Sequence, residues 1–145
     1  MHQPSIILIT GVMAAGKSTV AQALAERVAL LKGMPAEMLE TVRDGIQPSP
    51  GAGTLVKTMA AHGARCVLAS GGFEVFTGAV AGRLGFHAHF GNRLEIGPDM
   101  RATGHVLPPI LGKDRKREIL HEQCATLGIS PQQAMTVGDG ANDLP

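Results

Sequence analysis

The sequence predicts an α/β domain built on a parallel sheet, and three observations carry that reading. Short β-branched runs, "SIILIT", "RCVLAS" and "QAMTVGD", alternate with segments of helical periodicity, the pattern of buried parallel strands joined by right-handed crossovers. Each run ends in residues able to do chemistry: Gly11 to Ser18, Ser70 to Gly72, and Asp139 to Asp143. In open α/β sheets, ligands sit beyond the carboxyl ends of the strands. Finally, 145 residues with 44% apolar and 17% charged composition suffice for one core but not for two, and argue against disorder.

Taken in order, "SIILIT" is the first strand, ending at Gly11. From Lys17, Val20, Leu24, Val28 and Leu31 recur at steps of three and four residues up to the break at "KGMP", as one apolar helix face requires. Pro35 suits a first helical turn and opens a second helix, "PAEMLETVRDGI", before the break "QPSPGAG". A third helix, "TLVKTMAAHG", ends on Gly63, where a C-terminal glycine belongs. "RCVLAS" follows as a buried strand, then "GGFEVFTGAVAGRLG" as a helix opened by two glycines. The β-type segments "HAHF", "RLEI" and "TGHV" are separated by "GN" and "GPDM" turns. "KDRKREILHEQCATLG" is a helix with Ile119, Leu120, Cys124 and Leu127 on its apolar side, and "QAMTVGD" is the last strand.

Composition narrows the function classes. A net charge of +1 gives no electrostatic reason to expect nucleic acid or an anionic membrane surface. Four Phe with no Tyr or Trp offer no base-stacking platform. Cys66 and Cys124 are far apart without CxxC spacing, which argues against zinc and against a disulfide framework. They read as reduced thiols of a cytosolic protein. The apolar N-terminal run lacks a basic leader and is interrupted by Gly11 and Lys17, unlike a signal peptide. No stretch approaches the roughly 20 apolar residues of a membrane helix.

Gly11, Gly16, Lys17 and Ser18, with Thr19 after them, satisfy G-x-x-x-x-G-K-[ST]. Glycines there let backbone N–H groups wrap a phosphate at a helix N-terminus. Lys17 would reach the outer phosphates, and the Ser18 hydroxyl would ligate Mg²⁺. A strand-to-helix turn with a solvated lysine is the plainer alternative. Residues 5–27 resemble the opening of a small P-loop kinase of the adenylate-kinase-like or antibiotic-phosphotransferase kind, which implies ATP or GTP as ligand. Asp139 could serve as its distant acid, but no stretch resembles a lid.

From about Arg27 onward, "ERVALLKGMP", "SPGAG", "LASGGF", "FGNRLEI", "KREIL" and "VGDGAND" together resemble the phosphoserine phosphatases of the haloacid-dehalogenase superfamily. The resemblance implies a three-layer α/β/α Rossmann-like sheet in a single domain over 1–145. Residues 1–27 would form a P-loop-like strand, loop and helix, and 28–50 a remnant of the helical cap. It implies a Mg²⁺-dependent cytoplasmic hydrolase of O-phosphoserine. Ser70, Gly71 and Gly72 would face the phosphoryl oxygens. Lys116 would neutralise phosphate, Asp143 would hold Lys116, Asn142 would orient substrate, and Asp139 would ligate the metal. Arg27 would reach the substrate carboxylate with its planar, bidentate guanidinium. Each has a plainer alternative: an ordinary Ser-Gly-Gly turn, a tight "GDGAND" turn, or a solvated helix face, as for Lys113, Arg115 and Arg117 beside Lys116.

The family's chemistry starts from an aspartate nucleophile in a D-x-D-x-T motif at the end of the first strand. This sequence has none: after "SIILI" it reads "TGVMAAGKST", and its first aspartate is Asp44. The family pattern also continues past "GAND" with a helix and a strand. A hybrid or truncated phosphatase is therefore expected. Three readings follow: a phosphatase of low turnover, an ATP- or GTP-binding protein or small-molecule kinase, and a non-catalytic phosphate-binding domain.

Overall fold

The computed structural model describes residues 6–9 and 27–138. A sheet of strands β1 (Ile6–Ile9), β2 (Arg65–Phe73), β3 (Ala88–Ile96), β4 (Ala102–Leu107) and β5 (Ala134–Val137) runs in the order β4-β3-β2-β1-β5. Helices α1 (Ala36–Asp44), α2 (Ala52–Ala61), α3 (Glu74–Leu84) and α4 (Lys113–Leu127) connect them, with a 3₁₀ turn at Pro131–Gln133. β1 is parallel to both β2 and β5, with Ile9 opposite Leu68 on one side and Val137 on the other.

Strand β2 makes the molecule three-layered. Cys66 and Leu68 turn to one face and pack with Ala52 and Val56 of α2 and Val80 and Ala81 of α3. Val67 and Ala69 turn to the other, against Leu111 and Ile119. All four strand residues are fully buried, so the apolar run needs no polar alternation. Burying a Leu or Val side chain contributes about 1.5–3 kcal/mol, which favours helices on both faces over a sheet with one wet side.

Sequence patterning and structure differ at three places. The sheet is mixed: β3 and β4 are antiparallel, with Leu94 opposite Val106. Only residues 97–101 separate them, far too few for the crossover of a dozen or more that a parallel pair needs. The "GPDM" turn does form, with Gly97 N–H donating to Arg101 O at 2.8 Å and Met100 at φ 59. The "GN" turn does not form: Gly91 and Asn92 lie inside the continuous strand β3. Gly71 and Gly72 end β2 rather than open α3, which begins at Glu74.

Other expectations hold, with smaller departures at Leu127 and Pro35. α2 ends in a Schellman turn, with Gly63 at φ +85, Gly63 N–H donating to Ala60 O and Ala64 N–H to Met59 O, both at 3.0 Å. α4 spans the expected segment, with Ile119 and Cys124 buried and Leu120 half-buried, although Leu127 is 43% exposed. Of the first predicted helix only its end is described: Val28 is buried and Leu31 half-buried. Pro35 caps α1 instead of occupying its first turn. Backbone bonds from Gly33 to Ala102 O and from Ala36 to Met100 O, at 2.8 and 2.9 Å, tie the segment before α1 to the β3–β4 turn. Arg83 of α3 donates to Ile46 O and Arg43 O at the far end of α1. No described helix is long and apolar enough to cross a membrane.

Candidate active site

The parallel register sets the carboxyl ends of β2, β1 and β5 side by side. Ile9 pairs with Leu68 and Val137, so Ser70 follows two residues beyond the first pairing, and Asp139 two beyond the second. Gly11, Gly16, Lys17, Ser18, Thr19, Asp139, Asn142 and Asp143 lie outside the described residues. The strands leading to them are described, and they converge on one edge.

Ser70, Gly71 and Gly72 sit in a bulge. β2 pairs with β3 at Ala69↔Phe90 and next at Phe73↔Asn92, so four steps along β2 match two along β3. Bulges of this kind re-aim the chain next to functional sites. Inside this one, Gly72 N–H donates to Ser70 Oγ at 3.1 Å. A hydroxyl has one hydrogen and two lone pairs; accepting from Gly72 leaves the Ser70 hydrogen to donate elsewhere.

Asn92 holds the bulge from β3. Its side chain is fully buried; Nδ2 donates to Gly71 O at 2.8 Å, and Oδ1 accepts from Leu111 N–H at 2.7 Å. Leu111 leads into α4, whose first turn is fastened by Lys116 N–H donating to Gly112 O at 3.0 Å. Lys116 is half-buried on that turn, while Lys113 and Arg117 are exposed, as a solvated face requires. Arg115 departs from that expectation. It bonds Glu122 at 2.7 Å and Glu118 at 3.1 Å, bonds that raise its pKa further, and it lines a cavity with Glu74, His89 and Arg93.

A second cavity, of about 490 Å³, lies between α1 and the ends of β2 and β3, lined among others by Leu39, Arg43, Phe73, Asn92 and Arg93. Arg27 is exposed at the start of the helical turn 27–29, beside the buried Val28. Among the described residues, no three His, Cys, Asp or Glu side chains group so as to hold a metal ion. Cys66 and Cys124 are buried free thiols whose pKa burial pushes up, which leaves them poor nucleophiles at neutral pH.

The family model of the haloacid dehalogenase-like hydrolases matches residues 4–145. The chain belongs to that family. A phosphoserine phosphatase of Archaeoglobus fulgidus is 42% identical to this chain over 122 residues, covering 84% of this chain and 35% of the relative. One of Albidiferax ferrireducens is 43% identical over 128 residues, covering 86% and 54% respectively. A solved phosphoserine phosphatase, as a phospho-aspartyl intermediate analogue, superimposes with a TM-score of 0.87 at 28% identity over 97% of this chain and 80% of that one. The chain thus spans between about a third and about half of the length of these two relatives. The family match begins at residue 4, so it takes in the glycine-rich stretch that sequence patterning set apart as kinase-like.

Two residues of this dehalogenase-like hydrolase escaped sequence reasoning. Asn92 looked like half of a "GN" turn, and Arg115 looked like solvated charge. The available signal was an Asn in a run otherwise suited to a strand, where a polar side chain needs a buried partner.

Proposed function

We propose that this chain is a phosphoserine phosphatase-like phosphomonoester hydrolase. The observation that carries the reading is the Ser70–Gly72 bulge at the sheet edge where β1 and β5 also end. The similarity to phosphoserine phosphatases supports O-phosphoserine as substrate.

In this reading the Ser70 hydroxyl and the Gly71 and Gly72 backbone N–H groups face the phosphoryl oxygens. Gly72 N–H exchanges its bond to Ser70 Oγ for one to phosphate as the substrate enters. Lys116 neutralises charge that builds on those oxygens, with Asp143 fixing the ammonium and Asn142 orienting the ester. Arg27 takes the serine carboxylate, and the segment 28–50, including α1, covers the site as a reduced cap. A Mg²⁺ ion held by Asp139, when bound, supplies further charge neutralisation. Because no D-x-D-x-T aspartate follows β1, water attacks phosphorus directly as the bond from phosphorus to the serine oxygen breaks. A proton given up by the water ends on that oxygen, releasing serine and inorganic phosphate. The loss of a covalent nucleophile costs on the order of 10³-fold in rate.

A second reading makes Gly11–Thr19 a nucleotide loop. It is favoured by the place of β1 inside the sheet, between β2 and β5, with its carboxyl end leading into that stretch. One assay separates them: Mg²⁺-dependent phosphate release from O-phosphoserine and from ATP, with Asp139→Asn and Lys17→Ala beside the parent chain. The phosphatase reading expects slow release from O-phosphoserine that Asp139→Asn abolishes and Lys17→Ala spares. Release from ATP alone, lost with Lys17, overturns it in favour of the nucleotide loop. Release from neither leaves a phosphate-binding domain without chemistry.

A further inference from the structure

The Ser70–Gly72 bulge and the first turn of α4 are carried by segments that are not neighbours in the sequence. One buried amide joins them. Asn92 lies 21 residues from Gly71 and 19 from Leu111, and it bonds both, at 2.8 and 2.7 Å. From Leu111 the path to Lys116 is short: Gly112 caps α4, and its carbonyl accepts from Lys116 N–H at 3.0 Å. The two bonds also fix the amide's orientation, since only NH₂ can donate to a carbonyl and only the oxygen can accept from N–H.

We propose that Asn92 is a positioning residue for the phosphoryl site, locking the Ser70–Gly72 turn at a set distance from the α4 turn that carries Lys116. The proposal rests on the phosphatase reading above. Its chemistry is specific to Asn. A hydrophobic residue of similar size would strand both the Gly71 carbonyl and the Leu111 N–H in a buried setting. Asp keeps the acceptor for Leu111 but turns the donor towards Gly71 into a repelling oxygen. A buried Asp has its pKa pushed up, and once protonated it regains an O–H that can donate to Gly71 O. Asn92→Asp is therefore a variant that acid should repair.

The test titrates inorganic phosphate into ¹⁵N-labelled parent chain and Asn92→Asp, following the amides of Gly71 and Gly72 and those of residues 113–116, with circular dichroism confirming that both chains are folded. In the parent, both sets of amides shift together with one dissociation constant. In Asn92→Asp at pH 7.5, phosphate binds about tenfold more weakly, the worth of one hydrogen bond, and the α4 amides no longer follow those of the turn. Lowering the pH towards 5 restores the joint response relative to the parent measured at the same pH. A residue that served only the stability of the fold would leave phosphate affinity and its pH profile parallel in the two folded chains. Equal affinity and a joint response in folded Asn92→Asp at pH 7.5 overturn the proposal and leave the phosphatase reading standing. If the parent chain neither shifts with phosphate nor releases it from O-phosphoserine, the phosphatase reading fails and takes the proposal with it.

Discussion

Gly91 is glycine because of what stands against it. A Cβ built there would meet Glu74 N and Thr77 Oγ1 at 2.9 Å and Glu74 Cα at 3.0 Å. Two of those three atoms are backbone at the start of α3 and cannot swing aside, and the third is held by bonds to Glu74 O and His89 Nδ1, both at 3.1 Å. Gly91→Ala should therefore destabilise the chain by about 1–3 kcal/mol, the usual cost of overpacking. Gly82, within α3, has nothing within 4 Å of its would-be Cβ. Gly82→Ala should stabilise by about 0.5–1 kcal/mol, since alanine loses less freedom in a helix. Urea denaturation of the two variants should move the midpoints in opposite directions; a Gly91→Ala midpoint at or above that of the parent would show that α3 does not press on β3 as described.

At the scale of elements, α4 is held to the sheet, among the described residues, by few side chains. Ile119 is fully buried against Val67, Ala69 and Leu111, whereas Leu127 at the other end is 43% exposed. Ile119→Ala should cost about 2–5 kcal/mol by leaving a cavity between the helix and β2, and Leu127→Ala under about 1 kcal/mol. Comparable losses from the two would place the helix differently on the sheet. Periodicity alone grouped these residues on one face, because a helix repeats every 3.6 residues whatever it packs on. It could not say that the face runs out before Leu127. β3 shows the same limit. "GN" is locally a turn signal, but the close packing of α3 on Gly91, the burial of Asn92 and the pairing of β3 with β2 and β4 carry the strand through it. The Ser-Gly-Gly stretch was legible as a candidate site at a strand end. Its place was not: read locally, two glycines open a helix, and the bulge becomes visible only once β3 lies alongside. Asn92 was invisible because both of its partners are distant in sequence.

Across the whole molecule, the buried thiols give stability a pH limit with a definite sign. Cys66 is buried under α2 and α3, and Cys124 on α4, so ionising either in place puts an uncompensated thiolate in the interior. Burial pushes both thiols above the ordinary value of 9.0. The folded chain thus keeps its thiol protons at pH values where the unfolded chain has begun to lose them. The stability this contributes is fully present below about pH 9 and is lost as pH rises from there through the raised folded values. Within that window each thiol removes about 1.4 kcal/mol per pH unit. Replacing both by Ala changes packing by an amount that does not depend on pH, so the comparison of slopes isolates ionisation. Lysines titrate in the same range, but equally in both chains. The Cys66→Ala/Cys124→Ala double variant should therefore start with a fixed offset from the parent between pH 6 and 8 and then gain on it steadily above pH 9 in urea midpoints taken across that range. Parallel curves up to pH 10.5 would mean that the thiols ionise as readily in the folded chain as in the unfolded one, and that the two-sided burial of β2 and α4 is looser than the packing described.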